Sequence, residues 1–501
     1  MNKMIKRFAQ AWAFASILLL PNYADLTSSA GDTQAHSAEP IARIVLAQLT
    51  DMVIVMALFA ALMAGLRRLR WWPQIRWALL GLLPVLLLIR NLNVFPFAVP
   101  PMAIAAGSLA WWGFLAFLLL KAPAAAVKLR KAGSTLLAAF AVFALVMTWQ
   151  MGRAAFWRPG PQSFSSAIPA APATRPRLVW ILFDELAYKP VFEDRDPSVD
   201  FKNFDRFRGE STLYSGIAPI GYKTARIVPG LQLGREVGDV AYTAGNRYLI
   251  QFKGSPHWQR FNTADSLFGM AHRDGLSTSI VGWYISYCPI FKGIATDCYW
   301  SDDDAQDRGP TLPGAGYAAN VWFPLRMMAE QAFAPSAAWA DDARISSLGH
   351  IASEKDVIGH AFTALATSQA DILYLHLPTP HPPAFWNRHT MQYAVGGSYL
   401  DSLVYTDRVL GQVLDVLQSQ PRWASTTLII HGDHSWRTHM WRPLPGWSAE
   451  DERISDGGEW DPRPLVMIHT PGEKTGQTVS APTSLMLVHN TVANWIENFP
   501  R

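Results

Sequence analysis

Two apolar stretches that each end in acidic residues, LVWILFDEL at residues 178–186 and TTLIIHGDHS at residues 426–435, decide how this sequence folds. Both have the length and composition of strands buried in a sheet. In open α/β sheets, ligand and metal sites form at the carboxyl ends of such strands. An Asp after a strand also commonly caps the next helix, so each stretch alone leaves both interpretations open. The crowding of His431, Asp433 and His434 favours a metal site, because Mn²⁺ and Zn²⁺ bind mixed oxygen and nitrogen ligands.

Charge is divided unevenly along the 501 residues. Residues 1–157 carry 14 Lys and Arg and 4 Asp and Glu, a net charge of +10, whereas the remainder carries 29 and 35, a net charge of −6. The positive charge therefore belongs to the N-terminal part alone. This distribution argues against a protein that binds nucleic acid.

The N-terminal part consists of apolar stretches about as long as a membrane is thick. Four of these stretches are residues 44–66, 77–95, 102–120 and 133–151. Each can cross roughly 30 Å of hydrocarbon as a helix. A shorter stretch, residues 8–20, follows three basic residues and fits either a membrane helix or the apolar part of a signal peptide. We therefore predict a transmembrane domain of about five helices over residues 1–151.

Basic residues between these stretches predict how the protein crosses the membrane. They cluster in residues 67–76 and 121–131, and basic loops stay on the cytoplasmic side. The last stretch then runs outward from the inner (cytoplasmic) membrane, so the chain after Gly152 lies in the periplasm or outside the cell. Residues 152–177, rich in Pro, Ala and Ser, predict a linker to an exported catalytic domain over residues 178–501.

Two residue pairs raise further expectations. Cys288 and Cys298 fall in the exported part and either form a disulfide or remain two free buried thiols. Asp51 and Arg90 lie inside predicted membrane helices, roughly 7 to 11 Å from the outer ends. Either these two charges neutralise each other near a lipid headgroup, or Arg90 reaches the membrane surface alone.

Residues 178–501 alternate between strand-like and helical patterns. The strand-like runs are residues 178–183, 278–283, 372–377, 426–431 and 464–469. Helical patterns at residues 266–275 and 398–420 separate them, with apolar residues near a 3.6-residue period. This alternation predicts an α/β domain with a mostly parallel sheet and helices on both faces. Residues 299–345, rich in Asp, Trp, Pro and Ala, are expected to form loops over the site.

Four motifs in this domain together resemble a known family. They are the acid-ended strand at 178–186, KTARIVPGLQLGR at 223–235, HLPTPHPP at 376–383 and the strand ending in GDH at 432–434. Their order and spacing resemble the sulfatase-like branch of the alkaline phosphatase superfamily. With several membrane helices ahead of them, they resemble its phosphoethanolamine transferases and lipoteichoic acid synthases. The resemblance implies an enzyme with the alkaline phosphatase/sulfatase-like fold.

The resemblance also implies a metal centre and a nucleophile. One divalent metal ion, Mn²⁺ or Zn²⁺ and less favourably Mg²⁺, would be bound by Asp184, Thr224, Asp433 and His434. Thr224 would also be the nucleophile. Glu185 competes with Asp184 as the ligand from the first strand, and Asp184 is preferred.

The resemblance assigns a second catalytic role to His381, which would contact the substrate phosphate or the leaving group. His376 is a weaker candidate for that role. Lys223 and Arg226 flank Thr224 and either bind phosphate or remain solvated. His431 and His439 either orient metal ligands or simply pack.

The sequence also departs from the family pattern. The usual S-D-H-G is GDHS here, so the Gly after His434 is absent. Thr224 stands in place of the Cys or Ser from which sulfatases make their nucleophile, which argues against an ordinary sulfatase. A set of one Asp and two His for a second metal is also missing, which makes a binuclear phosphodiesterase less favoured.

Three function classes remain open. The first is a membrane phosphotransferase that moves phosphoethanolamine or phosphoglycerol from a membrane phospholipid donor to an envelope glycan or lipid acceptor through a phosphothreonine intermediate. The second is an exported hydrolase of phosphate or sulfate esters. The third is a non-catalytic envelope protein that retains the fold. The several membrane helices favour the first class, because a hydrolase of soluble substrates gains little from them.

Overall fold

The structure is a computed structural model, which describes residues 3–27, 41–92, 100–156, 162–243, 247–301, 316–333, 335–444 and 446–500. The helices are α1 (Lys3–Thr27), α2 (Ile41–Leu66), α3 (Trp72–Arg90), α4 (Pro101–Lys121), α5 (Pro123–Ala139), α6 (Ala141–Ala155), α7 (Lys189–Phe192), α8 (Lys202–Arg208), α9 (Thr224–Leu233), α10 (Leu267–Arg273), α11 (Tyr287–Phe291), α12 (Tyr317–Phe333), α13 (Pro335–Thr367), α14 (Tyr399–Gln418), α15 (Thr438–Trp441), α16 (Ala449–Ile454) and α17 (Met486–Glu497).

The strands are β1 (Ser163–Ser165), β2 (Arg177–Phe183), β3 (Thr212–Tyr214), β4 (Ile217–Ala218), β5 (Val237–Thr243), β6 (Arg247–Phe252), β7 (Trp258–Arg260), β8 (Thr278–Trp283), β9 (Asp297–Ser301), β10 (Ile372–Leu377), β11 (Trp386–Asn387), β12 (Gln392–Tyr393), β13 (Thr426–Gly432), β14 (Val466–His469), β15 (Gln477–Val479) and β16 (Thr483–Ser484).

These elements form two compact units. The first comprises residues 1–28, 37–157 and 306–338, and the second comprises residues 29–36, 158–305 and 339–501. The first unit therefore includes α12, a helix from the middle of the chain.

Four helical segments of the first unit are long and apolar enough to cross a membrane. They are Ala42–Leu66, Trp72–Arg90, Met102–Lys121 and Pro123–Arg153, the last of which joins α5 and α6. The expected spans 44–66 and 102–120 each lie within one helix, and 133–151 lies within α5 and α6. The expected span 77–95 is helical as far as Arg90, and its residues 93–95 lie outside the described part of the chain. The fifth stretch, residues 8–20, lies in α1. It has only 13 residues, so its apolar sequence is shorter than that of the four other segments. A membrane-crossing role for α1 stays a prediction.

The expected pair between Asp51 and Arg90 is not hydrogen-bonded. Asp51 is buried in α2, and neither of its carboxylate oxygens has a hydrogen-bond partner among the described residues.

The second unit is built around a nine-stranded sheet in the order β1-β9-β8-β10-β2-β13-β14-β3-β15. Its central strands β9, β8, β10, β2 and β13 run parallel to one another. β14 is antiparallel to β13, and β1 is antiparallel to β9. The expected α/β domain with a mostly parallel sheet is therefore confirmed, and the sheet becomes mixed toward both edges.

Strand β2 lies at the centre of the sheet and has no exposed face. Val179, Ile181 and Phe183 belong to the apolar core on one face. Leu178, Trp180 and Leu182 belong to the core on the other face. Burial on both faces explains the uninterrupted apolar sequence of this strand, since helices cover both sides of a parallel sheet.

The five strand-like runs and both helical patterns are observed with small shifts at their ends. The expectation of loops over residues 299–345 is wrong for the described part of that stretch, because Tyr317–Phe333 and the residues from Pro335 are helical. Asn320, Phe323 and Met327 are buried at helical spacing, a period that the Pro- and Trp-rich composition obscures. Within residues 152–177, β1 pairs with β9. Cys288 and Cys298 form a disulfide.

Arg422 holds the amino ends of the central strands together. Its Nε donates to the carbonyl oxygen of Arg175 at 3.1 Å, and its Nη2 donates to that of Pro176 at 2.9 Å. Its Nη1 donates to the carbonyl oxygens of Gln369 and Ala370, both at 3.1 Å. The guanidinium is buried and satisfies carbonyls that precede β2 and β10.

We expect Arg422→Ala to lower the free energy of unfolding by about 3 kcal/mol, because a buried guanidinium and its hydrogen bonds to four carbonyl oxygens at the strand ends are lost. The measurement is thermal unfolding of the detergent-solubilised protein. Arg260→Ala, at an exposed position on β7, serves as the control and should change stability by less than about 0.5 kcal/mol. Equal melting temperatures for the two variants would contradict this role of Arg422.

Candidate active site

The carboxyl ends of β2, β10 and β13 meet at one edge of the sheet. β2 pairs in parallel with both β10 and β13, from Leu178 to Phe183. Asp184 and Glu185 follow β2, and Asp433 and His434 follow β13. The topology therefore brings together side chains that are about 250 residues apart in the sequence.

Asp184, Asp433 and His434 form a buried cluster that could hold a metal ion. One possible ligand atom from each of the three residues lies within 4.8 Å of the others. Thr224 is the first residue of α9, and its Oγ1 lies 3.3 Å from Oδ2 and 3.4 Å from Oδ1 of Asp184. The structure thus brings the four predicted ligands together, and their binding of a metal stays a prediction.

The electrostatics of the cluster favour a bound cation. Burial and the charge of Asp433 raise the pKa of Asp184 well above its usual range. Burial also acts to raise the pKa of Asp433, but His434 and the backbone N–H of Glu185 outweigh burial and lower that pKa. Two facing buried carboxylates repel each other unless one is protonated or a positive ion lies between them.

Unsatisfied atoms in the cluster fit the same conclusion. Oδ2 of Asp433 and Nε2 of His434 are buried, lie 3.4 Å apart and have no hydrogen-bond partner among the described residues. Nδ1 of His434 donates to the carbonyl oxygen of Ser435 at 2.9 Å, which leaves a lone pair on Nε2. Carboxylate oxygens with one imidazole nitrogen suit a divalent transition metal.

Glu185, the competing ligand, faces away from this cluster. Its backbone has a positive φ of 68°, which non-glycine residues rarely adopt. Its Oε1 accepts hydrogen bonds from the backbone N–H and the Nε of Arg437, at 2.9 and 2.7 Å. Its Oε2 accepts from Nε1 of Trp441 at 3.0 Å. The backbone N–H of Glu185 donates to Oδ1 of Asp433 at 3.1 Å, so the backbone of Glu185 contacts the cluster while its side chain contacts Arg437 and Trp441.

The buried side chain of His376 lies next to the carboxylate of Asp184. Its Nε2 lies 3.3 Å from Oδ2 of Asp184, and its Nδ1 lies 2.8 Å from the hydroxyl of Tyr287. Burial lowers the pKa of His376 to about 4, so the ring is neutral at physiological pH. Tyr287 reaches this position because residue 282 is Gly, where a Cβ would lie 2.2 Å from the tyrosine ring. The sequence offers no signal for Tyr287.

His381 is linked to the site through Arg437. Nη2 of Arg437 donates to Nε2 of His381 at 3.1 Å, and Nδ1 of His381 donates to the carbonyl oxygen of Pro382 at 2.6 Å. Burial and the neighbouring Arg437 cation hold the pKa of His381 well below its usual range. His381 is therefore a neutral imidazole with an unprotonated Nε2. Sequence reasoning missed Arg437, whose only signal is its position two residues after GDHS.

The other candidates lie away from the cluster or have other partners. His431 accepts a hydrogen bond from Nε1 of Trp180 at 2.7 Å within the core, so it packs there. His439 is exposed on α15. Arg226 pairs with Asp239 at 2.8 Å, and Lys223 is an exposed residue at the start of α9.

Three solved structures are similar to this chain at low sequence identity. Ps i-CgsB in complex with k-i-k-neocarrahexaose is 14% identical, with a TM-score of 0.42 over 65% of this chain and 73% of that chain. The phosphonate monoester hydrolase of Agrobacterium radiobacter is 14% identical, with a TM-score of 0.37 over 64% and 74%. A protein in the alkaline phosphatase superfamily from Vibrio parahaemolyticus is 11% identical, with a TM-score of 0.38 over 64% and 66%.

No curated protein matches the sequence. The sulfatase family model matches residues 176–497, which is more than half of the chain and includes every member of the cluster. The protein therefore belongs to the sulfatase family and is an enzyme of the alkaline phosphatase superfamily.

Proposed function

We propose that this protein is a membrane phosphotransferase that moves phosphoethanolamine or phosphoglycerol from a phospholipid to an envelope glycan or lipid. The observation that carries the proposal is the hydroxyl of Thr224 at 3.3 Å from Asp184, and the family resemblance assigns the role of nucleophile to this residue. This residue is neither Cys nor Ser, from which sulfatases make their nucleophile. The four apolar helices in the same chain support a membrane lipid as the donor.

The proposed residues divide the chemistry between them. Asp184, Thr224, Asp433 and His434 would hold a divalent cation, Mn²⁺ or Zn²⁺. When bound, this cation would lower the pKa of the Thr224 hydroxyl and neutralise phosphoryl oxygens. Thr224 Oγ1 forms a bond to phosphorus while the bond from phosphorus to the lipid alcohol breaks. The proton of Thr224 passes to Asp184, the nearest carboxylate, and from there through solvent water to the leaving alcohol oxygen, so Thr224 loses one proton and the alcohol gains one.

The second step restores Thr224. A hydroxyl of the acceptor attacks the phosphothreonine, and the bond between phosphorus and Oγ1 breaks. For His381 to act as the base for that hydroxyl, the lone pair on its Nε2, which accepts a hydrogen bond from Arg437, must be released to the acceptor. The family resemblance implies that His381 protonates the leaving alcohol. For that role, Nε2 of His381 must first take up a proton.

The family match also fits a hydrolase of phosphate or sulfate esters as a second candidate. In that case water would replace the acceptor hydroxyl. We further propose that the protein lies in the cytoplasmic membrane, with its second unit on the periplasmic or outer side. The basic residues at 67–76 and 121–131 support this orientation.

Thr224→Ala should reduce phosphotransfer by on the order of 10³-fold or more, because the attacking oxygen is lost. Thr224→Ser keeps a hydroxyl and should retain part of the activity. Acid-quenched protein, incubated beforehand with mixed bacterial phospholipids, is digested and the peptide containing Thr224 is weighed by mass spectrometry. A headgroup phosphate on this peptide is expected in the unaltered protein and absent in Thr224→Ala, and undiminished turnover by Thr224→Ala would remove this residue from the mechanism.

Asp433→Asn and His434→Ala should each lower the bound metal below one ion per chain, because each substitution weakens or removes a predicted ligand. Metal content is measured by elemental mass spectrometry after dialysis. His439→Ala is the matched control, since His439 is exposed on α15, and its metal content should be unchanged. An unchanged content in the first two variants would refute both ligand assignments.

Burial, and after it the Arg437 cation, holds the pKa of His381 well below its ordinary value of about 6.5, so the activity of the unaltered protein should show no inflection from His381 near that pH. Arg437→Gln removes the positive charge but not the burial, so it should raise this pKa and move the loss of activity at acid pH to a higher pH than in the unaltered protein. Arg437→Lys keeps the charge and should retain the flatter profile. The measurement is the dependence of kcat/KM on pH, and identical profiles for the Gln and Lys variants would contradict a role of Arg437 charge on His381.

A further inference from the structure

Helix α12 lies in the sequence between the sheet strands β9 and β10 but belongs to the unit that contains the membrane helices. It packs against α2, the first of the four apolar spans. The hydroxyl of Tyr317, at the start of α12, lies 2.6 Å from Oγ1 of Thr50 in α2. The contact between these two helices therefore has both a packed interface and a specific polar bond.

The faces of α12 differ in burial. Asn320, Phe323 and Met327 are buried and repeat at intervals of three and four residues, so they share one face. Trp322 lies off this face and is 65% exposed. The charged residues of the helix, Arg326 and Glu330, approach each other to 3.7 Å. The described part of α12 is therefore an apolar helix that leaves a large aromatic side chain uncovered.

The position of Thr50 along α2 sets the depth of this contact. Arg67 and Arg68 follow α2 and mark one edge of the hydrocarbon, since charged residues stay in the aqueous phase. Roughly 20 helical residues cross the hydrocarbon, so counting back from Leu66 places the other edge near Ala47. Thr50 then lies roughly 5 Å inside that edge, at 1.5 Å per residue. The hydroxyl of Tyr317 must lie at the same depth.

Trp322 follows Tyr317 by five residues, which is roughly 7.5 Å along a helix axis. Depending on the direction of α12, Trp322 thus lies between roughly 3 Å outside and roughly 13 Å inside the edge of the hydrocarbon, a range of depths that the phospholipids of one leaflet occupy. Tyr and Trp are enriched at this boundary, because each combines an apolar ring with a polar atom.

We propose that α12 is an interfacial membrane segment whose Trp322 side contacts phospholipids at the boundary between headgroups and acyl chains. The partner is the lipid bilayer, because α12 is packed on a membrane helix at the depth of that boundary. The inference rests on α2 as a membrane span and does not depend on the phosphotransfer chemistry.

The experiment uses single cysteines that carry a fluorescent label. Both native cysteines are joined in a disulfide, so a thiol reagent reacts with the introduced residue alone. Trp322→Cys is compared with Leu58→Cys, 65% exposed on α2, and with Trp258→Cys, 45% exposed on β7 of the second unit. The full chain is placed in lipid nanodiscs that contain phospholipids with a nitroxide quencher either on the headgroup or deep in the acyl chain.

Headgroup nitroxides should quench the label at position 322 several-fold more than the label at 258, and deep nitroxides should quench the label at 58 most. If lipid quenchers leave position 322 unaffected, or affect it no more than 258, while position 58 is quenched, α12 faces water or another protein and the proposal is overturned. A lack of quenching at position 58 overturns it as well, because α2 would then not cross the bilayer. Neither result bears on the phosphothreonine intermediate, which is tested separately on the Thr224 peptide.

Discussion

Two buried carboxylates that face each other, Asp184 and Asp433, are the constraint on which the rest of this site depends. The parallel pairing of β2 with β13 fixes their separation, because each follows its strand at the same edge of the sheet. Their mutual repulsion in a dry environment is compensated by positive groups and N–H donors around them. His434 and the backbone N–H of Glu185 serve that compensation, and the metal ion that we propose for this cluster would add to it.

Glu185 connects this centre to the loop that carries His381. Its left-handed backbone turns the side chain away from the cluster and toward Arg437, while its N–H remains directed at Asp433. Arg437 donates to Glu185 through its Nε and to His381 through its Nη2. A residue in a strained conformation is retained where surrounding contacts determine it, and here hydrogen bonds hold both carboxylate oxygens of Glu185. Hydrogen bonds through Glu185 and Arg437 therefore connect the carboxylate cluster to His381.

The mostly parallel sheet and a site at the carboxyl ends of β2 and β13 could be predicted, because apolar runs ending in polar residues have few interpretations in an α/β fold. Thr224 follows no such run, and only the resemblance to a known family pointed to it. The choice between Asp184 and Glu185 could not be derived from adjacent residues alone, since it depends on a positive φ that no local pattern indicates. Tyr287 and Arg437 reach the site through tertiary packing, which leaves no spacing signal. The helix at Tyr317–Phe333 was missed because its apolar face contacts α2, a partner more than 250 residues away in the sequence.

The course of the chain through the two units has a consequence for work with fragments of this protein. The chain passes from the second unit to the first near residue 305 and returns near residue 338. A fragment that begins after residue 157 would thus retain α12 without α2. Phe323 and Met327, now buried, would face water, and each loses roughly 1.5–3 kcal/mol of apolar burial. Removing the N-terminal helices by proteolysis or truncation would therefore yield an aggregation-prone product instead of a freely soluble enzyme.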